Sequence, residues 1–298
     1  MKNRHRPLFS VRISVPDNME LIVAVDTLVA GVHFPIDTTA EDIGYKALAV
    51  NLSDMAAMGA EPAYATLSLT VPVLEDNWFE AFSQGFFESA NLFNTQLVGV
   101  DIMEGPLVVT VSIHGYVPTG QELLRSGAQP GDHIYVTGTL GDAGLALQML
   151  KGDVSINTSD QPGLLHQLNR PQPRIQEGVA LRTVATSAID ISDGLDADLG
   201  HILASSNVGA TVNVEHLPLS SVFKNAASID MALTSGDDYE LCFTVPAGKT
   251  KLVEELFSSF ACGLTCIGAI KAGKGLSYEM NNGGPYILTA HSYEHFSE

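Results

Sequence analysis

Helices and strands interleave along the whole chain, and that pattern predicts an α/β or α+β fold. Three observations carry the prediction. Short β-branched apolar runs, Leu21–Val25, Gln96–Val100 and Ser187–Ile189, read as strands and lead straight into Asp26, Asp101 and Asp190. Longer amphipathic stretches with start and stop residues lie between them. The pattern breaks into Gly, Pro and polar residues around Pro118–Gln129, which predicts two domains, 1–122 and 123–298.

Residues 1–20 show no clear periodicity, and Leu21–Val25 follows as a buried strand. Thr39 followed by Asp42 reads as a capping box that opens a helix running to about Met58, with Gly59 as its stop and Pro62 beyond. Ala63–Val71 alternates as a strand. Asp76–Phe93 is a helix whose aromatic stripe, Trp78, Phe79, Phe82, Phe86 and Phe87, belongs to the core or to a subunit interface. Gln96–Val100 and Leu107–Val117 complete the first half as strands.

In the second half, the strand His133–Val136 enters the turn TGTLGDAG. Helices follow over Gly141–Lys151 and Arg174–Ala185, then the IDISDG strand and turn, and a helix over Leu195–Ser205. Ala210–Val214, Glu240–Val245 and Leu264–Ala269 read as strands, and Lys251–Ser259 as a helix.

The composition excludes several classes. Apolar residues make up 45% of the 298, enough for a substantial core. A formal net charge of −19 opposes nucleic-acid and anionic-membrane binding. No apolar run reaches the roughly 18–20 residues of a membrane span, and the basic start MKNRHRPLFSVRISV lacks the apolar core of a signal peptide. Cys242, Cys262 and Cys266 are odd in number and form no CxxC pair, which points to reduced thiols and a cytoplasmic protein. Cys262 with Cys266 is at best a weak half-site for a metal.

Several strands that end in Asp suggest one acidic site beyond their carboxyl ends, able to hold metal ions. Asp54 stands in the last turn of its helix, where the helix dipole disfavours an anion by roughly 0.3–1 kcal/mol. It is either a solvated acid or a carboxylate set against a metal, with Asn51 on the same face. In IDISDG, Asp190 and Asp193 can ligate one Mg²⁺ or two neighbouring ions, and Asp193 can also cap the next helix. SGDDYEL adds Asp237 and Asp238. His33 is either structural or part of the site, and Arg125 is either a surface cation or a fork for a phosphate. Gly268–Gly275 resembles a Walker A loop but lacks its Ser/Thr, and a strand-like LSYEM follows where a helix is required. Gly138–Gly144 could cradle a phosphate, though tight packing is its other use. From the residues alone the reading is a Mg²⁺-dependent enzyme acting on phosphates without a P-loop.

The stretches VDTLVAGVHF, YKALAVNLSDMAAMGAEP, LVGVD, LLRSGAQPGDHIYVTGTLGDAG, IDISDGL with DLGHI, and SGDDYELCFTVP stand in this order. Together they resemble the thiamine-monophosphate kinase family, of the aminoimidazole ribonucleotide synthetase superfamily. The resemblance implies an N-terminal dimerising domain and a C-terminal α/β domain, a homodimer, and phosphorylation of thiamine monophosphate by ATP with several Mg²⁺ ions. It places metal ligands at Val25 (through its carbonyl), Asp26, Asp54, Asp101, Asp190 and Asp193. Nucleotide contacts fall at Val100, Asp101, Arg125 and Ser192, and substrate contacts at His33 and Asp237. Asp26, Asp54, Asp101 and Asp193 are the acids expected to serve the chemistry.

The chain departs from the family pattern in places. The family's Gly-Asp-Asp before the first strand has no counterpart in residues 1–20, where Asp17 is the acid available. Ala24-Val25 replaces Ser-Thr, Val100 replaces a Gly, and Asp237 replaces a Glu. The substrate-stacking Trp aligns with Ala290 unless Tyr286 or Tyr293 takes its place. Two rival readings follow. One is a relative that binds these ligands without turnover; the other is a different synthetase of the superfamily.

Overall fold

The structure, a computed structural model, describes residues 11–290 and residue 292. The chain forms two compact units. The first runs to Asn51 and takes up again over Glu61–Thr119; the second comprises Leu52–Ala60 and the chain from Gly120 onward.

In the first unit, β1 (Met19–Val29), β2 (Glu61–Val71), β3 (Gln96–Glu104) and β4 (Val108–Pro118) form a sheet of order β1-β4-β2-β3. Helices α1 (Ala40–Ala57) and α2 (Asp76–Leu92) accompany it. Strand β4 alternates strictly, with Val109, Val111 and Ile113 buried on one face. The helices cross in direct backbone contact. A Cβ on Gly44 would fall 2.1 Å from Phe82 O, and one on Gly85 would fall 1.8 Å from Glu41 O. Phe82 and Phe86 of the aromatic stripe are buried, whereas Phe87 is exposed.

The expectation of a buried strand at Leu21–Val25 is corrected. Among the described residues β1 pairs only with β4, and Leu21, Val23 and Val25 are 40%, 54% and 62% exposed. The unbroken apolar run arises because one face packs inward while the other is an apolar outer face. The picture of aspartates at strand ends also changes. Asp26 and Asp101 lie inside β1 and β3, and only Asp190 closes its strand.

The second unit holds β5 (Asp132–Thr137), β6 (Ser187–Asp190), β7 (Gly209–Asn213), β8 (Leu241–Pro246), β9 (Leu264–Lys271), β10 (Gly275–Glu279) and β11 (Pro285–Tyr286), in the order β11-β10-β7-β9-β5-β8-β6. Its helices are α3 (Asp142–Lys151), α4 (Gln161–Asn169), α5 (Ile175–Leu181), α6 (Leu195–Ser206), α7 (Ser221–Ala226), α8 (Ile229–Thr234) and α9 (Thr250–Phe257). Helices α4, α7 and α8 add to the expected set. Two of them are only six residues long, too short for a periodic signal, yet Ser220 and Ser228 cap them as side-chain acceptors. Most of the LSYEM stretch lies in β10, a strand as expected, in keeping with the rejection of a Walker A loop. The core is continuous through Ile134, Val136, Leu145, Ile189, Leu199, Ile202 and Phe223. Among the described residues no helix is long and apolar enough to cross a membrane.

Gly85→Ala tests the helix crossing. Alanine is the better helix former by about 1 kcal/mol, yet its Cβ would meet the Glu41 backbone. We expect a net loss of about 1–3 kcal/mol from forced separation of the helices, read as a lower midpoint in urea unfolding.

Candidate active site

The turn between β6 and α6 gathers the most chemistry. Asp190 is 6% exposed and accepts a hydrogen bond from the Ser53 hydroxyl at 2.6 Å. Burial raises its pKa; the Ser53 hydroxyl and the charge of Arg125 oppose that rise, and Asp193 adds to it. One oxygen of the buried Asp198 accepts the N–H groups of both Ser192 and Asp193, each at 3.0 Å. Burial pushes Asp198 up to about 7, and repulsion from Asp190 and Asp193 contributes.

The SGDDYE segment fastens the other side of this turn. Asp237 N–H donates to Ser192 O at 2.9 Å, Tyr239 N–H to Ile191 O at 2.8 Å, and Ile191 N–H to Glu240 O at 2.8 Å. The segment adopts left-handed backbone at Asp237 (φ 68°) and Tyr239 (φ 50°), which costs of order 1–3 kcal/mol per residue and persists only under such constraint. The Tyr239 hydroxyl donates to Asp237 at 3.0 Å. Gly236 is obligatory, because a Cβ there would lie 2.1 Å from Ser192 O.

The TGTLGDAG loop is packed rather than open. Asp238 accepts the Gly141 N–H at 2.8 Å and so occupies the start of α3. Burial raises its pKa well above the ordinary value against the Gly141 bond, and Glu240, Asp142 and Asp237 add to the rise. Glu240 accepts a fork from Arg174 (2.7 and 2.5 Å) and the Thr137 hydroxyl (2.6 Å). A Cβ on Gly138 would fall 1.9 Å from Glu240, so this glycine serves the packing of a buried ion pair.

In the first unit, the Asp26 N–H donates to the Asn51 side chain at 3.1 Å, and the buried Asn51 in turn donates to Ala47 O at 3.0 Å. Asn51 therefore ties β1 to α1 at the level of Asp26. His33 accepts the Val29 N–H on Nδ1 at 3.0 Å, which leaves the proton of the neutral ring on Nε2. Its structural and functional roles are thus compatible. Val25 and Val100 are exposed, and so are Asp101 and Arg125. The loop carrying Arg125 is held by Ser206, which accepts the N–H groups of Gly127 and Ala128. Asp54 is half-buried between the buried Leu52 and Met55.

The sheet separates two of the expected acids. Asp26 pairs with Val111 and shares its buried face. Asp101 pairs with Ser68, and Ser68 with Thr110, on the outer face. The acids thus stand on opposite edge strands, three inter-strand steps or about 14 Å apart. Mg²⁺–oxygen distances of about 2.1 Å bring two ligands of one ion within about 4 Å of each other, so Asp26 and Asp101 of one copy cannot share an ion.

Among the described residues no three His, Cys, Asp or Glu side chains converge closely enough to hold a metal alone. The donor chemistry nevertheless suits Mg²⁺, which typically takes one or two carboxylates plus water and phosphate oxygens. Asp190 and Asp198 carry the signature of a buried anionic site that a cation would relieve.

Comparison with known proteins shows the family. The model of the AIR synthase related protein N-terminal domain matches residues 10–117, and that of its C-terminal domain matches residues 129–281. Thiamine-monophosphate kinase of Salmonella typhimurium (strain LT2) is 44% identical over 291 residues, covering 96% of this chain and 89% of the relative. The chain belongs to the thiamine-monophosphate kinase family. The crystal structure of thiamine-monophosphate kinase from Stenotrophomonas maltophilia K279a matches with a TM-score of 0.87 at 44% identity, over 92% of this chain and 89% of that one. The structure of AaThiL complexed with AMPPCP and TMP matches with a TM-score of 0.83 at 30% identity, over 95% and 89%.

Ala290, expected in place of a stacking Trp, is half-buried. Tyr286 is committed elsewhere: its hydroxyl donates to Asp230 at 2.7 Å, and the Thr289 N–H and hydroxyl donate to the same carboxylate. Tyr293 lies outside the described residues. Asp198, Glu240, Ser53 and Asp230 were not among the expected site residues. An acid in the first turn of a helix, within DLGHI, was the available signal for Asp198.

The raised carboxyl groups set a pH dependence. A group such as Asp198, whose pKa moves from 3.8 to about 7 on folding, binds more protons folded than unfolded in that interval. Its stabilising effect is complete below 3.8 and lost as the pH rises to about 7. In chelator, the melting temperature should therefore fall across this window. Mg²⁺ should raise it more near pH 8 than near pH 5, both values being about one unit outside or inside the window. Thermal melts with and without the ion check this.

Proposed function

We propose that this chain transfers the γ-phosphoryl group of ATP to thiamine monophosphate and yields thiamine diphosphate. The observation that carries the reading is the likeness to AaThiL complexed with AMPPCP and TMP, which extends over 95% of this chain. AMPPCP is an ATP analogue, so the ligands of that complex correspond to both substrates. The acceptor is a phosphate with a second pKa of about 6, largely deprotonated at neutral pH, so direct in-line attack needs no general base. The barrier lies in bringing two anions together in a protein of charge −19.

In this reading Asp26, Asp54, Asp101, Asp190 and Asp193, with the Val25 carbonyl, would hold Mg²⁺, which supplies charge neutralisation for the phosphates. Arg125, Ser192 and the backbone at Val100 would bind ATP. His33 would donate from Nε2 to the substrate phosphate, and Asp237 would face the substrate. The compartment is the cytoplasm, in keeping with three free cysteines among the described residues.

A homodimer is part of the proposal. Two copies whose β1 and β3 edges meet, with their outer faces turned toward each other, would cover Leu21, Val23 and Val25 and bring the partner's Asp101 onto the strand beside Asp26. This would supply what the sheet of one copy keeps about 14 Å apart.

The deciding assay is ATP turnover with and without thiamine monophosphate, with the product identified by chromatography. Thiamine diphosphate supports the reading. Binding of both ligands without product would overturn it in favour of a non-catalytic relative.

Two variants sharpen the assignment. Arg125→Ala should raise the KM for ATP far more than that for thiamine monophosphate, by an amount matching about 1.5–3 kcal/mol of lost charge-assisted contact. For the dimer, Asp26→Asn and Asp101→Asn should each be inactive alone. Mixed after unfolding and refolding together, they should recover up to about a quarter of wild-type activity, because half the dimers then contain one intact composite site. No recovery would place both acids' roles within a single copy.

A further inference from the structure

We propose that Asp198 is a positioning residue for the phosphoryl-transfer centre: its carboxylate sets the backbone from which Ser192 and Asp193 project. The proposal rests on the reading of Ser192 and Asp193 as nucleotide and metal contacts. Asp198 is the fourth residue of α6 and 3% exposed. Its own N–H donates to Gly194 O at 3.0 Å, as a helix residue should. Its side chain reaches back past the helix start and takes the N–H groups of Ser192 and Asp193 on one oxygen.

The carbonyl side of the same turn is fixed independently, because Ile191 O and Ser192 O accept from Tyr239 and Asp237. Gly194 at φ 108° closes the turn where a Cβ would lie 2.8 Å from the Thr234 backbone, so the chain cannot shift that way. Asp198 is therefore the element that pulls the turn against the SGDDYE segment. Without it, two adjacent part-buried N–H groups lose their acceptor, and the Ser192 and Asp193 side chains lose a fixed origin. A 1 Å displacement of positioned groups costs on the order of 100-fold in rate.

A capping role for the helix alone predicts lost stability with intact chemistry. The positioning role predicts loss of chemistry that an oxygen acceptor rescues. Asn retains one carboxamide oxygen able to take both N–H groups, whereas Ala retains none. Asp198→Ala and Asp198→Asn should be compared with wild type by kcat, by the Mg²⁺ concentration at half-maximal rate, and by calorimetric affinity for ATP with Mg²⁺; circular dichroism monitors folding. The Ala variant should lose on the order of 10- to 100-fold in kcat and need more Mg²⁺, with a smaller change in the KM for thiamine monophosphate. The Asn variant should stay within about threefold of wild type on each measure.

Wild-type kcat and Mg²⁺ dependence in a folded Ala variant would overturn the proposal. So would an Asn variant as impaired as the Ala variant, because charge rather than acceptor geometry would then be what matters. If the Ala variant fails to fold, the Asn variant alone decides: near-wild-type values support the acceptor role and large losses overturn it. If wild type makes no thiamine diphosphate, the kinase reading fails by itself. The affinity for ATP with Mg²⁺ then tests the positioning role, by loss in Ala and retention in Asn.

Discussion

The backbone of the turn between β6 and α6 is almost fully committed. Ile191 and Ser192 have both N–H and C=O engaged, Asp193 its N–H and Gly194 its C=O. Buried backbone groups must find partners, and here the partners come from two directions: the Asp198 carboxylate and the SGDDYE segment. What remains adjustable is the side chains of Ser192 and Asp193, both half-buried. The left-handed backbone at Asp237 and Tyr239 belongs to the same arrangement, because those residues must turn their N–H groups toward Ile191 and Ser192.

Around this turn the protein tolerates an unusual electrostatic load. Asp190, Asp198 and Asp238 all hold protons more tightly than an ordinary carboxyl group, and burial is the leading cause in each case. The contrast with Glu240 is instructive. Glu240 has a forked guanidinium partner, a complete solution for a buried anion. Asp190 has the Ser53 hydroxyl, a backbone N–H and a more distant charge from Arg125, none of them a forked cation. A carboxylate left in that state favours proton uptake or cation binding.

The sheet of the first unit makes a different contribution. It has open edges at β1 and β3 among the described residues, and an outer face that is apolar at Leu21, Val23 and Val25 but polar along Thr27, Thr110, Ser68 and Asp101. Such edges and such a face are unstable to association unless association is their use. In the proposed homodimer, acids of the proposed site would come from two copies, because the sheet of one copy sets Asp26 and Asp101 on opposite edge strands.

The sequence by itself determined the class of fold and most of its helices and strands, and it supplied the residue types of the candidate site. Local signals suffice for these: apolar periodicity for the strands and for α2, Thr39 before Asp42 for the start of α1, and Gly59 for its end. Thr39 does accept the Asp42 N–H, at 3.2 Å. Short helices such as α7 and α8 escaped because six residues cannot display a period. Tertiary structure alone decided that the Leu21–Val25 run is an edge strand with an exposed face, because the covering of a strand depends on its neighbours in the sheet. It alone decided that Asp26 and Asp101 lie on opposite edges, because strand order is set by long-range pairing. And it alone gave Asp198 its place, because in sequence it is one acid of a helix's first turn, while its meaning lies in the two N–H groups that folding brings to it.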